Sequence, residues 1–156
     1  MKKIRIALAS IAAAGLMLSC DKDDDGNNIA ATIEGKWTPT QTITVTDGDQ
    51  NVTQYSGNQQ GCDKDYWEFR NNNVYRDVVY VMNVEDECEE AEAASTWSKT
   101  DNTLTITDVN PDPAVTSPPD AGVYEITKLT NGELRLKSTA TVGGVDFEVT
   151  KVFKRV

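Results

Sequence analysis

The sequence predicts an all-β domain, an eight-stranded antiparallel up-and-down barrel, which follows a cleaved signal and a flexible tether. From Thr32 onward, hydrophobic residues alternate with polar ones at a period of two, which is typical of strands with one solvated face. Short turn signals separate the successive runs. A meander of eight such strands removes its exposed edges by closing on itself, so a barrel is the expected architecture.

The N-terminus has the composition of a bacterial export leader. A basic start, residues 1–5, precedes an apolar stretch, residues 6–18, that is interrupted by a single serine. This stretch is shorter than the ~20 residues that a spanning helix needs, but it suits a secretory signal. Ser19 and Cys20 then resemble the end of the lipobox of bacterial lipoproteins, with Met17 where leucine is commonest. We expect cleavage before Cys20 and acylation of that cysteine; an ordinary secretory signal is the alternative.

The segment after the cleavage site, residues 20–32, is predicted to be an acidic flexible tether for a domain spanning residues 33–156. Its residues 21–28 are polar and of low complexity, with nothing to bury. Lys22-Asp23-Asp24 also resembles a surface-export signal of one group of gram-negative bacteria. This resemblance implies an outer-membrane lipoprotein exposed on the cell surface; the periplasm-facing leaflet is the alternative.

Charge and residue types exclude several classes of function. The 156 residues include 15 basic and 25 acidic ones, and removal of the leader leaves 12 against 25, a net charge of −13. So acidic a surface repels nucleic acid, and we expect no nucleic-acid partner. The chain contains no histidine, which removes histidine-activated nucleophiles and histidine-ligated zinc. Carboxylate, lysine and tyrosine chemistry remains open. Because the sequence offers no candidates for convergent titratable groups in a pocket, we expect a protein that is not an enzyme and that needs no cofactor.

Eight alternating runs predict the strands in chain order. The first contains Pro39, which predicts a bend or an unpaired backbone position there. Asn131-Gly132 and Gly143-Gly144 predict tight hairpin turns between the last three, because these residues accept positive φ at little cost. The predicted strands lie near residues 33–46, 65–70, 74–82, 94–100, 103–108, 122–129, 133–141 and 144–155.

Three longer connections, residues 47–64, 83–93 and 109–121, are predicted to be loops. The second is acidic and offers the one segment compatible with a short helix, around Glu87 to Ala94. Its carboxylates are the type of ligand that Ca²⁺ prefers. Because runs of like charge are usually solvated surfaces, we predict no metal site there.

The two cysteines that remain after lipidation predict a disulfide. Cys62 and Cys88 form an even pair in an oxidising compartment. A hairpin turning at residues 71–73 places Cys62 opposite Met82, so Cys88 reaches it by folding back within the following loop. The alternative is two free thiols.

Several short motifs, taken in order, resemble the lipocalin-like domain common in small bacterial lipoproteins. Gly35-Lys36-Trp37 is the G-x-W of lipocalin-type barrels, in which the tryptophan plugs the barrel base. Residues 63–69, 95–106 and 151–155 follow in the family's order, so the resemblance covers residues 33–155. It implies that Arg155 packs on Trp37 in a cation–π contact, with Lys154 as the alternative.

The resemblance implies fold and location more than activity. Small barrels often hold one apolar molecule, and aromatic side chains are the candidates to line such a site; the alternative is that they fill the core. We expect a lipid-anchored, non-enzymatic binding module of the envelope. The alternative is a protein–protein role, as an enzyme inhibitor or an accessory subunit of an outer-membrane complex. The candidate ligand-binding residues are Trp67, Phe69, Trp97, Tyr124 and Phe147.

Overall fold

The computed structural model describes residues 31–108 and 120–156, which form nine antiparallel strands. Eight of them, all except β2, close a barrel, because β1 pairs with β9 on one edge and with β3 on the other. The predicted eight-stranded barrel is confirmed. The strands are β1 (Gly35–Thr46), β2 (Asp49–Gln54), β3 (Tyr66–Phe69), β4 (Val74–Met82), β5 (Cys88–Thr100), β6 (Thr103–Thr107), β7 (Gly122–Leu129), β8 (Glu133–Val142) and β9 (Val145–Arg155).

Some sequence predictions lie outside this structure. The leader and Cys20 precede residue 31, and residues 109–119 of the proline-rich connection are also outside the described ranges. Neither described range contains a helix long and apolar enough to cross a membrane.

We call the end of the barrel where β1 begins and β9 ends the base. It is filled by inward-facing apolar side chains from every barrel strand, because alternate residues of a strand face the same side. The fully buried members include Trp37, Phe69, Tyr75, Leu104, Leu134, Leu136 and Phe153. The opposite end, with the β1–β2, β4–β5 and β8–β9 turns, is the mouth.

The base is closed by Trp37 and Arg155, which face each other across β1 and β9. The guanidinium carbon of Arg155 lies 4.3 Å from the centre of a Trp37 ring, and its Nη1 donates to the carbonyl of Glu34 at 2.9 Å. The indole N–H of Trp37 donates to the carbonyl of Ile33 at 2.7 Å. Gly35 has a φ of +120°, and a Cβ there would lie 2.8 Å from Arg155 Nη1. The positive φ therefore favours glycine, and a Cβ would displace the Arg155 guanidinium.

The predicted bend at Pro39 is present. The pairing of β1 with β9 shifts register between Pro39 and Gln41. Thr40 lies in the bulge. Its hydroxyl donates to the carbonyl of Val152 at 2.9 Å, and its backbone carbonyl accepts the backbone N–H of Tyr55 at 2.9 Å. The irregularity therefore ties β1 both to β9 and to the chain that leaves β2.

Two segments differ from their sequence predictions. Residues 49–54 were expected within a loop but form β2, which pairs with β1. The prediction of a short helix around Glu87 to Ala94 is wrong, because these residues belong almost entirely to β5 and pair with β4. Arg76 of β4 forms ion pairs with Glu90 and Glu92 on that strand. Cross-strand pairing outweighs the helix propensity of a Glu- and Ala-rich run.

The strand after β1 is interrupted. Both β2 and β3 pair with the same edge of β1, β2 along Gln41–Thr46 and β3 along Gly35–Trp37. Residues 55–65, which we call the insertion loop, connect them. Toward the mouth, β4 continues beyond its pairing with β3, and its Tyr80 N–H is bonded to the carboxylate of Asp65 at 2.8 Å. The insertion loop thus completes the wall where a strand is interrupted.

The predicted disulfide between Cys62 and Cys88 is present, with the two Cα atoms 5.5 Å apart. It ties the insertion loop to the first residue of β5. The hairpin register is the one that the sequence indicated, since Tyr66 pairs with Val78. Cys88 pairs directly with Met82, so a tight turn rather than a slack loop brings it back to Cys62.

We predict that replacing both cysteines by serine destabilises the mouth selectively. The bond spans 26 residues, and loss of such a cross-link is expected to lower the free energy of unfolding by about 3–4 kcal/mol. Hydrogen exchange should accelerate in residues 55–65 and in the β4–β5 turn, while β6–β8 keep their protection. Equal stability of the variant, measured by urea unfolding, or uniform acceleration across the barrel would contradict this prediction.

Candidate functional site

A cavity of about 240 Å³ lies inside the barrel, above the apolar filling of the base. The wall is formed by β1, β3, β4, β9, the insertion loop and Asp120, which precedes β7. The lining residues are Pro39, Gln41, Thr42, Tyr55, Asp65, Tyr66, Trp67, Asp77, Val79, Asp120, Lys151 and Phe153.

The β5 residues that pair with the cavity-lining part of β4 are small. Tyr75 of β4 is fully buried and faces inward, and its partner on β5 is Ser95. The next inward pairs toward the mouth are Asp77 with Ala93 and Val79 with Ala91. Directly opposed residues share a face of the sheet, so two alanines stand where large residues would fill the barrel.

The floor of the cavity is aromatic. Trp67 and Phe153 lie with their ring centres 4.7 Å apart. Trp67 also makes edge contacts with Tyr75 at 5.4 Å and with Tyr124 at 6.3 Å. The rings separate the cavity from the base below, and Trp67 and Phe153 also line its wall.

The five candidate aromatic residues are divided among different places. Trp67 lines the cavity. Phe69, Trp97 and Tyr124 are buried in the core cluster and are not part of the lining. Phe147 pairs with Thr46 and Ala140 near the mouth and is only partly buried. Most of these aromatic side chains therefore fill the barrel.

An acidic pair borders the cavity, formed by Asp77 of β4 and Asp120 before β7. Burial, and then the adjacent Asp120 carboxylate, raise the pKa of Asp77 to about 6. A hydrogen bond between the two carboxyl groups adds to this effect, and Lys151 opposes it. Two carboxyl groups this close hold a proton between them more readily than either would alone.

Lys151 is the cation among the described residues that line the cavity. Its ammonium group forms an ion pair with the carboxylate of Asp120. The same nitrogen lies 4.8 Å from a ring centre of Trp67. Lys151 thereby connects the acidic pair to the aromatic floor.

Asp65 forms the side of the site that belongs to the insertion loop. Its buried carboxylate accepts the hydroxyl of Tyr55 at 2.6 Å and the backbone N–H of Tyr80 at 2.8 Å. Burial, followed by the hydrogen bond to Asp65, raises the pKa of Tyr55 above its usual range. A Cβ at Gly57 would lie 2.3 Å from the Tyr55 hydroxyl, so only glycine fits against this pair.

Two further tyrosines lie close to the acidic pair. The buried hydroxyl of Tyr75 has no hydrogen-bond partner among the described residues. Burial, and then the charges of Asp77 and Asp120, raise its pKa. The Tyr124 hydroxyl donates to the backbone carbonyl of Asp120 at 2.9 Å, and burial chiefly raises its pKa to about 12. Both phenols therefore stay protonated and can donate hydrogen bonds.

The sequence reasoning missed the charged residues of this site. A usable signal was present, because Asp77 lies between Tyr75 and Val79 at inward positions of β4. Lys151 likewise lies between Val149 and Phe153 on the inward face of β9. A charge that interrupts the apolar face of a strand indicates a polar feature inside the barrel.

This arrangement is suited to binding. It combines an aromatic floor with a few converging polar groups, which is the usual construction of a small-molecule site. The described part of the chain contains no group of three or more cysteine or acidic side chains placed to hold a metal ion.

The fold and the cavity together define a lipocalin-type β-barrel. The sequence profile of the family described as "Lipocalin-like domain" matches residues 33–136, more than half of the chain. The protein therefore belongs to the lipocalin-like domain family, as its motifs indicated. A search of curated protein sequences found no match.

Similar solved structures include bovine odorant-binding protein in complex with a selenium-containing odorant. It is 12% identical, with 78% of this chain and 69% of that chain covered and a TM-score of 0.39. The complex of the bovine protein with undecanal is also 12% identical, with coverages of 86% and 77% and a TM-score of 0.40. A Bacteroides ovatus protein of unknown function is 6% identical, with coverages of 79% and 41% and a TM-score of 0.34.

The raised pKa of Asp77 predicts a pH dependence of stability. Its folded-state pKa is about 6, against about 3.9 for an unfolded chain. Between these values the folded protein holds a proton that the unfolded chain has lost. The contribution of this carboxyl to stability is therefore greatest at low pH and declines as pH rises through its folded pKa.

We expect Asp77→Asn to remove this decline. The free energy of unfolding of the variant, minus that of the unmodified protein, should rise between about pH 4 and about pH 7. Urea unfolding across this range measures the difference. Asp49→Asn, an exposed site on β2, is the matched control and should show a flat difference. Parallel curves for the two variants would contradict the assignment to Asp77.

Proposed function

We propose that the protein is a lipid-anchored, non-enzymatic binding module of the bacterial envelope that holds one small organic molecule inside its barrel. The observation that carries this proposal is the cavity of about 240 Å³ with an aromatic floor and converging polar groups. Its size suits a ligand smaller than a typical drug, since drug-sized sites usually occupy about 300–1,000 Å³.

The ends of the barrel favour entry from the mouth. At the base, Trp37 is fully buried beneath Arg155, and the aromatic floor lies between this plug and the cavity. At the mouth, the inward positions carry small or polar residues such as Thr44, Ser138 and Ala140, together with Val149 and Phe147. A ligand that approaches from the mouth meets the polar groups before the aromatic floor.

The lipid anchor proposed at Cys20 is compatible with a barrel that is closed at its base and entered from its mouth. The domain begins at the base, where Ile33 is buried against the core. A tether that leaves from the base leaves the mouth free of the attachment point. We propose that the protein is an outer-membrane lipoprotein displayed on the cell surface, with the periplasm-facing leaflet as the alternative location.

A protein partner is the second candidate function, and exposed apolar side chains at the mouth favour it. Val84 in the β4–β5 turn is fully exposed, and Val142 beside the β8–β9 turn is 66% exposed. Met82 and Val81 are also exposed near the same rim. Such residues are typical of contact surfaces when they form a patch. An envelope protein docked on this rim would cover the cavity.

The binding proposal predicts that filling the cavity abolishes ligand binding. Val79 lines the cavity, and Val79→Phe adds a ring there without altering a charged residue. We expect some members of a library of small neutral, cationic and anionic aromatic compounds to shift the amide and indole NMR signals of lining residues, and Val79→Phe to remove those shifts. The control is Val123→Phe, at an exposed position on β7. No response from any compound, or equal responses in Val79→Phe, would exclude cavity binding.

The anchoring proposal predicts that Cys20→Ser prevents acylation. The variant should incorporate no labelled palmitate and should be released from membranes or retain its leader. Asn27→Ser, which lies in the tether outside the lipobox, is the control. Palmitate incorporation into Cys20→Ser would refute the anchor. Protease treatment of intact cells tests display separately, because a domain that is protected until the outer membrane is breached faces the periplasm.

A further inference from the structure

We infer that the ligand is a small organic cation, an amine or ammonium group carried on a compact apolar body; this inference rests on the proposed binding function. The carboxyl group of Asp77 would receive the cation, Asp65 and Asp120 would add negative potential, and Trp67 and Phe153 would receive the apolar body.

The charges that line the cavity do not balance. Among the described residues, three carboxyl groups, those of Asp65, Asp77 and Asp120, are accompanied by one ammonium group, that of Lys151. Asp65 is satisfied by Tyr55 and by the backbone of Tyr80.

Of the acidic pair, Asp120 is engaged by Lys151. Asp77 lies beside the carboxyl group of Asp120, and the two groups repel each other when both are ionised. The positive charge of Lys151 offsets only part of this repulsion. A further positive charge placed beside Asp77 would stabilise its ionised form.

The phenol of Tyr75 is an independent indication. Its hydroxyl is fully buried and has no hydrogen-bond partner among the described residues. The negative charges of Asp77 and Asp120 act on it electrostatically. An unpaired buried polar group costs about 1–3 kcal/mol. A cation that keeps Asp77 ionised would make its carboxylate a stronger acceptor for this hydroxyl. A bound amine would therefore favour a hydrogen bond from Tyr75 to Asp77, which the described residues do not make without it.

The floor is suited to the rest of the ligand. Lys151 Nζ lies 4.8 Å from a Trp67 ring centre, so the face of this indole already accepts a cation. Phe153 lies beside it and offers apolar surface. A cavity of ~150 Å³ can bind benzene, so 240 Å³ accommodates an aromatic ring with a short amine side chain.

Anionic ligands fit the site poorly. A carboxylate ligand would have to displace Asp120 from Lys151 while lying beside Asp77 and Asp65. A neutral ligand would leave the repulsion between Asp77 and Asp120 in place. Like charges confined in a partly desolvated space repel strongly, so the lining selects for positive charge.

Binding of the amine should be coupled to proton release. Where the acidic pair holds a proton, an incoming ammonium group displaces it, and the proton leaves to solvent. Affinity should therefore rise with pH through about 6, where Asp77 titrates. The titratable groups that face Asp77 from the packed elements are Asp65, Asp120, Lys151, Tyr55, Tyr75 and Tyr124.

The test compares three probes of nearly equal shape by isothermal titration calorimetry: 2-phenylethylamine, 2-phenylethanol and phenylacetate. We expect the amine to bind the unmodified protein at least about tenfold more tightly than the alcohol, and phenylacetate to bind most weakly. Asp77→Asn should bring the amine-to-alcohol affinity ratio close to one, whereas Asp49→Asn should preserve it. At pH 6, titrations in two buffers of different ionisation enthalpy should show proton release by the amine and none by the alcohol.

Each other outcome overturns the inference. Equal or tighter binding of the alcohol or of phenylacetate would show that charge does not select the ligand. Amine binding without proton release would show that the acidic pair is not involved, and this measurement needs only the unmodified protein. If other compounds bind in the cavity but the amine does not, the inference is wrong and the binding function stands. If no compound binds there, the proposed function fails as well.

Discussion

The buried carboxylate of Asp65 joins three parts of the molecule that are not connected by a strand ladder. It accepts the hydroxyl of Tyr55, which follows β2, and the backbone N–H of Tyr80 on the mouth side of β4. Its own backbone N–H donates to the side chain of Asn58 at 3.0 Å within the insertion loop. A buried carboxylate is tolerated only when it is hydrogen-bonded in this way. Asp65 thereby completes the barrel wall where the strand between β1 and β4 is interrupted, and the disulfide at Cys62 reinforces the same segment.

The character of the cavity follows from this construction. In the base, continuous ladders bring large apolar residues together, and Trp37 closes the end under Arg155. Above Trp67, the insertion loop replaces a regular strand and the inward residues of β5 are small. Charged groups can occupy that level because they find partners there, as Lys151 does with Asp120. The same barrel therefore has an apolar half that supports the fold and a polar half suited to a ligand.

The sequence predicted the elements whose two faces differ in polarity. Leu134 and Leu136 alternate with charged residues, and β8 lies where that alternation indicated. It did not predict β2, because every residue of that strand is exposed and neither face is apolar. The first half of β5 was mistaken for a helix because its inward residues are alanines. The pair of Asp77 and Asp120 depends on contacts distant in sequence, which register alone does not reveal.

The most direct measurement compares Asp65→Ala with Asp63→Ala, an exposed residue of the same loop. If the Asp65 carboxylate completes the wall, its removal should lower the free energy of unfolding by about 3 kcal/mol. It should also accelerate hydrogen exchange at the Tyr80 amide and within residues 55–65, while Asp63→Ala leaves both properties near those of the unmodified protein. Equal stability of the two variants, with the Tyr80 amide still protected, would contradict this role of Asp65 and the construction of the cavity that depends on it.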